Sequence, residues 1–587
     1  MLHLNNEQLR AVRHVDGPML VLAGPGSGKT AVITERIRYL MGTVNVKAES
    51  ILVLTFSNKA AREMQRRLNE SSSVCFGTFH SFFFHVLKQY KNYNSDSIIK
   101  YSQQVAYIRD VGIKLNIKPD IDERWCMDTL SEISVYKNTG QMPKYLLDDE
   151  LKLFPKVFEE YCLRLKKAGY IDFDDMIRDA LELLRSNPLV LGEIKDRFKY
   201  ILVDEFQDCN KDQYELLKLI SQDNNNLFAV GDDDQAIYAF RGSDTRIILK
   251  FLSDYPNCGY VELIRNYRCS GNIIDKAFEL IGHNQSRKTK QKQLPSLLRG
   301  NGEVYVIKTE DAYSEAAEVY EIIDEVMKKG VKSSDISVLY RTDTASDYLT
   351  EYLSDKKIVS NKTGRDSLKD KEYVKDILAY LNISQGDLSR ENFYRILNKP
   401  DRGLIRDCIR ENKTTEEAMM SYYGDDIKSR KSIHELFDNL LYIKDLRPYA
   451  AIQYIWKKIG YGKYCGMGEV PNELLSYVGK YKDIKSFILS FNEKTRDKND
   501  GVVLQTIHAS KGLEYDTVII IGLQEGIMPH SRAATEEEIE EERRLMYVAM
   551  TRAKNRLYII ARGKESHGKK YSRFIYELNV DYKSISS

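Results

Sequence analysis

No stretch of the sequence offers the roughly 18 consecutive apolar residues that a membrane-spanning helix requires. The N-terminal segment MLHLNNEQLRAVRHVDG is too polar for a secretory signal. The expectation is a cytoplasmic protein without a membrane partner. Cysteine is sparse: eight in 587 residues, at positions 75, 126, 162, 209, 258, 269, 408 and 465. None forms CxxC or a Cys/His cluster at ligand spacing, which argues against a zinc or iron–sulfur site. Scattered thiols in a long chain fit a reducing compartment. No sign of charge dominates, since 88 Lys and Arg face 86 Asp and Glu. A basic track for nucleic acid must therefore be local. There is no short tandem repeat and no conspicuous Gly/Ser linker.

What is present is a series of strand-length apolar runs. They include MLVLA (19–23), ILVLTF (51–56), YILVDE (200–205), LFAVGD (227–232), ISVLY (336–340), VVLQTIH (502–508), TVIIIGL (517–523) and RLYIIA (556–561). Each is continuously apolar rather than alternating, as expected of strands buried on both faces in a parallel sheet. Helical patterns such as KAAREMQRRL (59–68) lie between them, so the fold class is α/β. Two long stretches read as mostly helical. The layout that follows is two α/β cores, each with a helical insertion. Segments 1–90 and 196–272 form the first core, interrupted by 91–195; segments 273–385 and 498–587 form the second, interrupted by 386–497. Two further stretches, 310–330 and 416–446, also show helical spacing.

The segment AGPGSGKT follows a strand and opens a helical pattern, the context a phosphate-binding loop requires. Gly24, Gly26 and Gly28 let the backbone curl so that its N–H groups face phosphate oxygens. Ala23, Pro25 and Ser27 complete the loop, and the helix start adds its positive end. Lys29 would reach the β- and γ-phosphates, and Thr30 would hold Mg²⁺. A second carboxylate is needed for the metal, and YILVDEFQD supplies Asp204 at a strand end. Glu205 beside it can orient or deprotonate the attacking water. These features describe a nucleotide hydrolase without choosing among pump, switch and motor.

The choice comes from ordered motifs. NNEQLRAV (5–12), TFSNKAAREM (55–64), GTFHSF (77–82), GDDDQAIYAFRGS (231–243), NYRCS (266–270), TIHASKGLEYDTVIIIGLQEGIMPH (506–530) and EEERRLMYVAMTRAKNRLYI (541–559) accompany the loop. Together they closely resemble the UvrD/Rep/PcrA group of superfamily 1 DNA helicases. The resemblance implies two RecA-like cores with ATP and Mg²⁺ in the cleft between them. It assigns Gln8 to the adenine edge, Tyr267 to stacking on the base and Gln235 to sensing the γ-phosphate. Glu514 falls near the ribose and γ-phosphate, and Arg268 and Arg552 match the arginine fingers. A planar, permanently charged guanidinium suits the charge on a transferring phosphoryl group. Arg552 would come from the second core, so hydrolysis would require closure. Many relatives have a basic residue directly after the loop threonine; Ala31 stands here, which weakens the grip on the base. The helix expected to bear Arg552 should start at Thr535 as N-cap, with Glu538 completing a capping box.

For single-stranded DNA the family pattern places Phe56, Tyr238 and Phe240 as base-stacking platforms. Phe240 stands where tryptophan is usual. Asn58, His80, Arg241, Arg341, His508 and Ser510 are positioned to meet phosphates or sugars. Phe56 and Tyr238 follow apolar strands, where core packing is the alternative, and His80 among aromatics could equally be a core histidine. The basic clusters 287–292 and 428–432 read as solvated faces. The resemblance implies 3′→5′ movement on single strands and at single-strand/duplex junctions, by a monomer or weakly self-associating chain. The second insertion is short for the family, which makes translocation a firmer expectation than processive unwinding. A translocase subunit of a nuclease or defence complex and a non-moving nucleotide-dependent switch are the alternatives.

Overall fold

The computed structural model describes residues 4–68, 73–117, 121–144, 146, 148–239, 242–244, 246–287, 294–295, 300–363, 371–412, 414–465, 467–479, 481–492, 501–563 and 570–578. The first six-stranded sheet contains β1 (Met19–Ala23), β2 (Ile51–Thr55), β3 (Cys75–Thr78), β4 (Tyr200–Val203), β5 (Leu227–Gly231) and β6 (Gly259–Leu263). Its order is β3-β2-β4-β5-β1-β6, and its pairings are parallel. A short ribbon follows, with β7 (Arg265–Asn266) beside β8 (Leu294–Pro295). The second sheet contains β9 (Glu303–Thr309), β10 (Ile336–Tyr340), β11 (Ser360–Thr363), β12 (Val502–Thr506), β13 (Tyr515–Leu523) and β14 (Ala553–Arg562), in the order β11-β12-β10-β13-β14-β9. The pairings β10–β13, β13–β14 and β14–β9 are parallel. The α/β class with two parallel-sheet cores is thus observed.

The unbroken apolar runs have the expected cause. Leu20, Leu22, Leu52 and Leu54 face one buried cluster with the helices Phe79–Tyr90 and Phe173–Ser186. Met19, Val21, Ile51 and Val53 face another with the helix Lys29–Gly42. Period-two alternation puts successive side chains on opposite faces, so a strand covered on both sides needs apolar residues throughout. Parallel strands in the order β4-β5-β1 also bring the carboxyl ends of all three to one edge. That edge is where ligands bind in open α/β sheets.

The helices Tyr101–Lys114, Glu123–Thr139 and Asp148–Ala168 contribute Ile108, Trp125, Phe154 and Tyr161 to a separate small core. The chain divides into two compact units, 357–504 and the remainder. The 357–504 unit is mainly helical around its own core, which includes Tyr380, Phe393, Ile433 and Trp456. The stretch 416–446 is not one continuous helix. It splits into Glu416–Tyr422 and Ile427–Lys444, because Gly424 takes φ 51° and Asp426 caps the second helix through its side chain. No helix among the described residues is long and apolar enough to cross a membrane, and no cluster there has three potential metal-ligating side chains of the His, Cys, Asp and Glu types.

Candidate nucleotide cleft and strand-binding face

The loop after β1 is shaped by its glycines. Gly28 sits at φ 89° as N-cap of the helix Lys29–Gly42, and no side chain caps that helix. Its first N–H groups are therefore open to an anion. Gly26 takes φ 64°, and a Cβ there would lie 2.5 Å from Arg268 Cβ. The loop and the segment 266–268 consequently approach as backbone. Tyr267 N donates to Gly26 O at 2.8 Å, and Asn266 Nδ2 donates to Pro25 O at 2.6 Å. Ser27 Oγ closes the turn on Gly24 O at 2.7 Å. Lys29 Nζ folds back on Ala23 O at 2.8 Å and stands 3.7 Å from Asp232. Thr30, half-buried, follows it in the first turn. Gln8 is tightly engaged: Nε2 donates to Ser27 O at 2.9 Å, and Oε1 accepts from Asn5 N at 2.9 Å. Asn5 in turn donates to the Tyr267 hydroxyl at 3.0 Å, so the residues matched to the base lie side by side.

Facing the loop, Asp204 leaves β4 buried, and its Oδ1 finds no hydrogen-bond partner among the described residues. Burial and then the Glu205 charge push its carboxyl well above the usual range. Glu205 is held in the opposite direction. Burial alone would raise it, but the Lys511 and Lys29 ammonium groups and a hydrogen bond from Gln207 outweigh that and keep it ionised. Two neighbouring carboxyls with pKa values driven apart are a common acid–base arrangement. Glu205 also takes φ 52°, in the left-handed region.

The second core closes on this edge. Arg552 is 1% exposed; Nε donates to Val548 O at 2.9 Å, Nη1 to Leu513 O at 3.2 Å and Nη2 to Gln235 Oε1 at 3.2 Å. Gln235 donates from its amide to Asp232. Arg268 Nε donates to Glu514 Oε2 at 2.8 Å, and Nη1 to Thr551 O at 3.3 Å. Burial would raise Glu514, yet Lys554 and Arg268 hold it down at about 2. Lys511 reaches across to Asp208 and to Gln235 O, the latter at 2.7 Å. Lys29, Glu205, Gln235, Arg268, Glu514 and Arg552 thus share one connected network, through Gln207, Asp232 and Thr551, with Asp204 next to Glu205 in the chain. The helix Glu536–Met550 begins with the Thr535/Glu538 capping box. Arg552 does not lie on it, however: Thr551 ends the helix, and Arg552 occupies the turn before β14, where it points at Gln235 rather than along the helix face.

On the adjoining surface Phe56 is 39% exposed and stacks on Tyr238, with ring centroids 4.6 Å apart and planes 20° apart. Tyr238 is mostly buried and is also approached by His508 at 6.2 Å and by Lys511 Nζ at 5.0 Å. Asn58 is exposed at the start of the helix Asn58–Leu68. His80, half-buried, meets Phe173 edge-on at 5.9 Å. Two candidates are placed otherwise than expected. Arg341 turns its fork onto Glu542, with Nη2 donating at 2.9 Å. Ser510 is fully buried and donates to Ile507 O at 2.7 Å, as a turn residue would. Phe240, Arg241 and residues 288–292 of the first basic cluster lie outside the described residues. Gln207, Asp208, Asp232, Lys511 and Glu541 join the site without being marked out by their motifs. All lie inside the quoted motifs, and that adjacency is the signal the sequence holds for them. Glu541 accepts from Ala239 N at 3.0 Å, so the helix leading to Arg552 grips the loop that carries Tyr238.

Comparison with known proteins agrees with this geometry. Residues 4–256 match the UvrD/REP helicase N-terminal domain, and residues 261–449 and 472–564 match the UvrD-like helicase C-terminal domain. The chain is similar to the ATP-dependent DNA helicase PcrA of Staphylococcus epidermidis, 32% identical over 610 residues, covering 95% of this chain and 83% of that one. It is similar to the PcrA of Staphylococcus aureus to the same degree, 32% over 612 residues, with the same coverage of both chains.

Proposed function

The chain belongs to the UvrD/Rep helicase family, and from that premise we propose that it hydrolyses ATP between its two cores to step 3′→5′ along single-stranded DNA and open duplex ahead of it. The observation that carries this reading is the convergence of Arg552 and Arg268, from beyond the loop, on the edge that holds Lys29, Glu205 and Gln235. In this reading Gln8 and Tyr267 hold the adenine, with Ala31 offering no added grip. The uncapped N–H groups at the start of the helix Lys29–Gly42 and the Lys29 ammonium hold the phosphates. The buried, unpartnered Asp204 Oδ1 and the nearby Thr30 suit a hard divalent cation, and Mg²⁺ there would neutralise phosphate charge.

Hydrolysis then needs little covalent help. A water oxygen bonds to the γ-phosphorus as the bond to the β-phosphate oxygen breaks. Glu205, kept ionised, receives the proton, and the guanidinium groups of Arg268 and Arg552 meet the charge on the phosphoryl oxygens. Gln235 touches both Arg552 and Asp232, so it senses whether the γ-phosphate is present. The strand side follows from Glu541 and Lys511, which tie the second core to the Tyr238 loop. Closure around ATP thereby alters how Phe56 and Tyr238 hold a base. Arg341 and Ser510 take supporting roles in place of direct phosphate contact.

The test is ATP turnover against oligo(dT) length. A motor that steps along the strand shows turnover rising with length to a plateau, because short strands force frequent dissociation. Stimulation independent of length would identify a stationary switch, and absence of stimulation would remove the proposal.

A further inference from the structure

The motif that supplies Glu205 also carries a buried side chain that the reading above leaves unused. We propose that Gln207 is a positioning residue that fixes the Glu205 carboxylate for hydrolysis. This rests on Glu205 being the group that receives the proton from water. Gln207 is fully buried. Its Oε1 accepts from the backbone N–H of Asp232 at 2.8 Å. A backbone N–H can only donate, so it dictates which end of the amide faces it. The other end is thereby turned toward Glu205, and Nε2 donates to Oε2 at 2.6 Å. A flipped amide would set donor against donor and carbonyl against carboxylate. Its orientation is therefore determined by the chain itself.

Glu205 needs such a tether. It leaves β4 at φ 52°, a region that L-residues with a side chain seldom occupy. Asp204 beside it supplies a second carboxyl. Gly231, at the end of β5, belongs to the same device. A Cβ there would stand 2.8 Å from Gln207 Oε1 and 3.3 Å from Gln207 N. The clamp thus joins the ends of β4 and β5, and through Asp232 it reaches Gln235 and Lys29. The residue that takes the proton is held in register with the residues that contact phosphate.

The experiment compares Gln207→Met, Gly231→Ala and Glu205→Gln in single-turnover and steady-state ATP hydrolysis on saturating oligo(dT). Methionine keeps the length of the side chain and loses both hydrogen bonds. Its kcat should fall about 10²-fold, the scale of an ångström-sized misplacement. KM for ATP and affinity for oligo(dT) should stay unchanged. Gly231→Ala crowds the amide without altering Gln207, and should give the same kcat-only loss in smaller degree. In a Glu205→Gln background, Gln207→Met should cost nothing further, because nothing remains to be positioned. Glu205→Gln inactive with Gln207→Met at full kcat would overturn this inference alone. A further loss on top of Glu205→Gln, or parallel losses of ATP and DNA affinity, would show a merely structural residue and also overturn it. Full activity of Glu205→Gln would sink the assignment of Glu205, and this inference with it.

Discussion

Replacing Arg552 by lysine isolates what a guanidinium does at the cleft. The side chain is fully enclosed, and burial, with Arg268 beside it, pulls its pKa down to about 9. It remains a cation at neutral pH, as a lysine would. Shape is what changes. The fork reaches Val548 O, Leu513 O and Gln235 Oε1 from three different nitrogens. A single ammonium on a shorter reach cannot serve all three. If Arg552 stabilises the transferring phosphoryl group, kcat should fall about 10³- to 10⁵-fold; the lower figure corresponds to about 4 kcal/mol of barrier. KM for ATP and affinity for single-stranded DNA should move little. The Leu513 carbonyl loses its donor while Val548 O keeps the Thr551 hydroxyl, which adds a folding cost of about 1–3 kcal/mol, so the assay belongs well below the melting transition. DNA-stimulated phosphate release by the two chains is the measurement. A kcat equal to that of the parent chain would refute the argument, and so would a loss confined to KM.

Three further outcomes follow from other contacts. Phe56→Ala removes the exposed half of the Phe56–Tyr238 stack; oligo(dT) affinity, followed by fluorescence anisotropy, should weaken by about 1–3 kcal/mol, with DNA-free ATP turnover unaltered. Arg341→Ala leaves the Glu542 carboxylate with only the His530 N–H, so thermal melting should report a loss of about 1.5–3 kcal/mol while oligo(dT) affinity holds; weaker DNA binding at unaltered Tm would reinstate Arg341 as a phosphate contact. Thr535→Ala opens the capping box at the start of Glu536–Met550 and should cost about 1 kcal/mol in chemical denaturation, with an unchanged denaturant slope.

The parts of the architecture legible in the sequence are those fixed by local chemistry. The runs at 19–23 and 51–55 announce strands covered on both faces, because either face would otherwise expose polar positions. Gly26 and Gly28 announce backbone that a side chain would disturb. The Thr535/Glu538 pair announces a helix start, and the helix starts there. What spacing could not convey was partner choice across the chain. Arg341 meets Glu542 some 201 residues later, and Arg552 meets Gln235 across 317. An isolated arginine in a motif looks free for phosphate until the fold supplies its carboxylate. Ser510 illustrates the same limit, since a hydroxyl that closes its own turn looks the same in sequence as one that faces a ligand. The break at Gly424 was visible as a glycine, but the helical spacing on both sides concealed it.

The central claim is that ATP closure between the two cores drives directional movement on one strand. It is tested most directly by duplex substrates that carry a single-stranded tail at either the 3′ or the 5′ end, with Lys29→Ala as the inactive control. ATP-dependent strand separation is expected from the 3′-tailed substrate alone, abolished by Lys29→Ala. Separation from the 5′ tail, or equal separation by the Lys29→Ala chain, would contradict it.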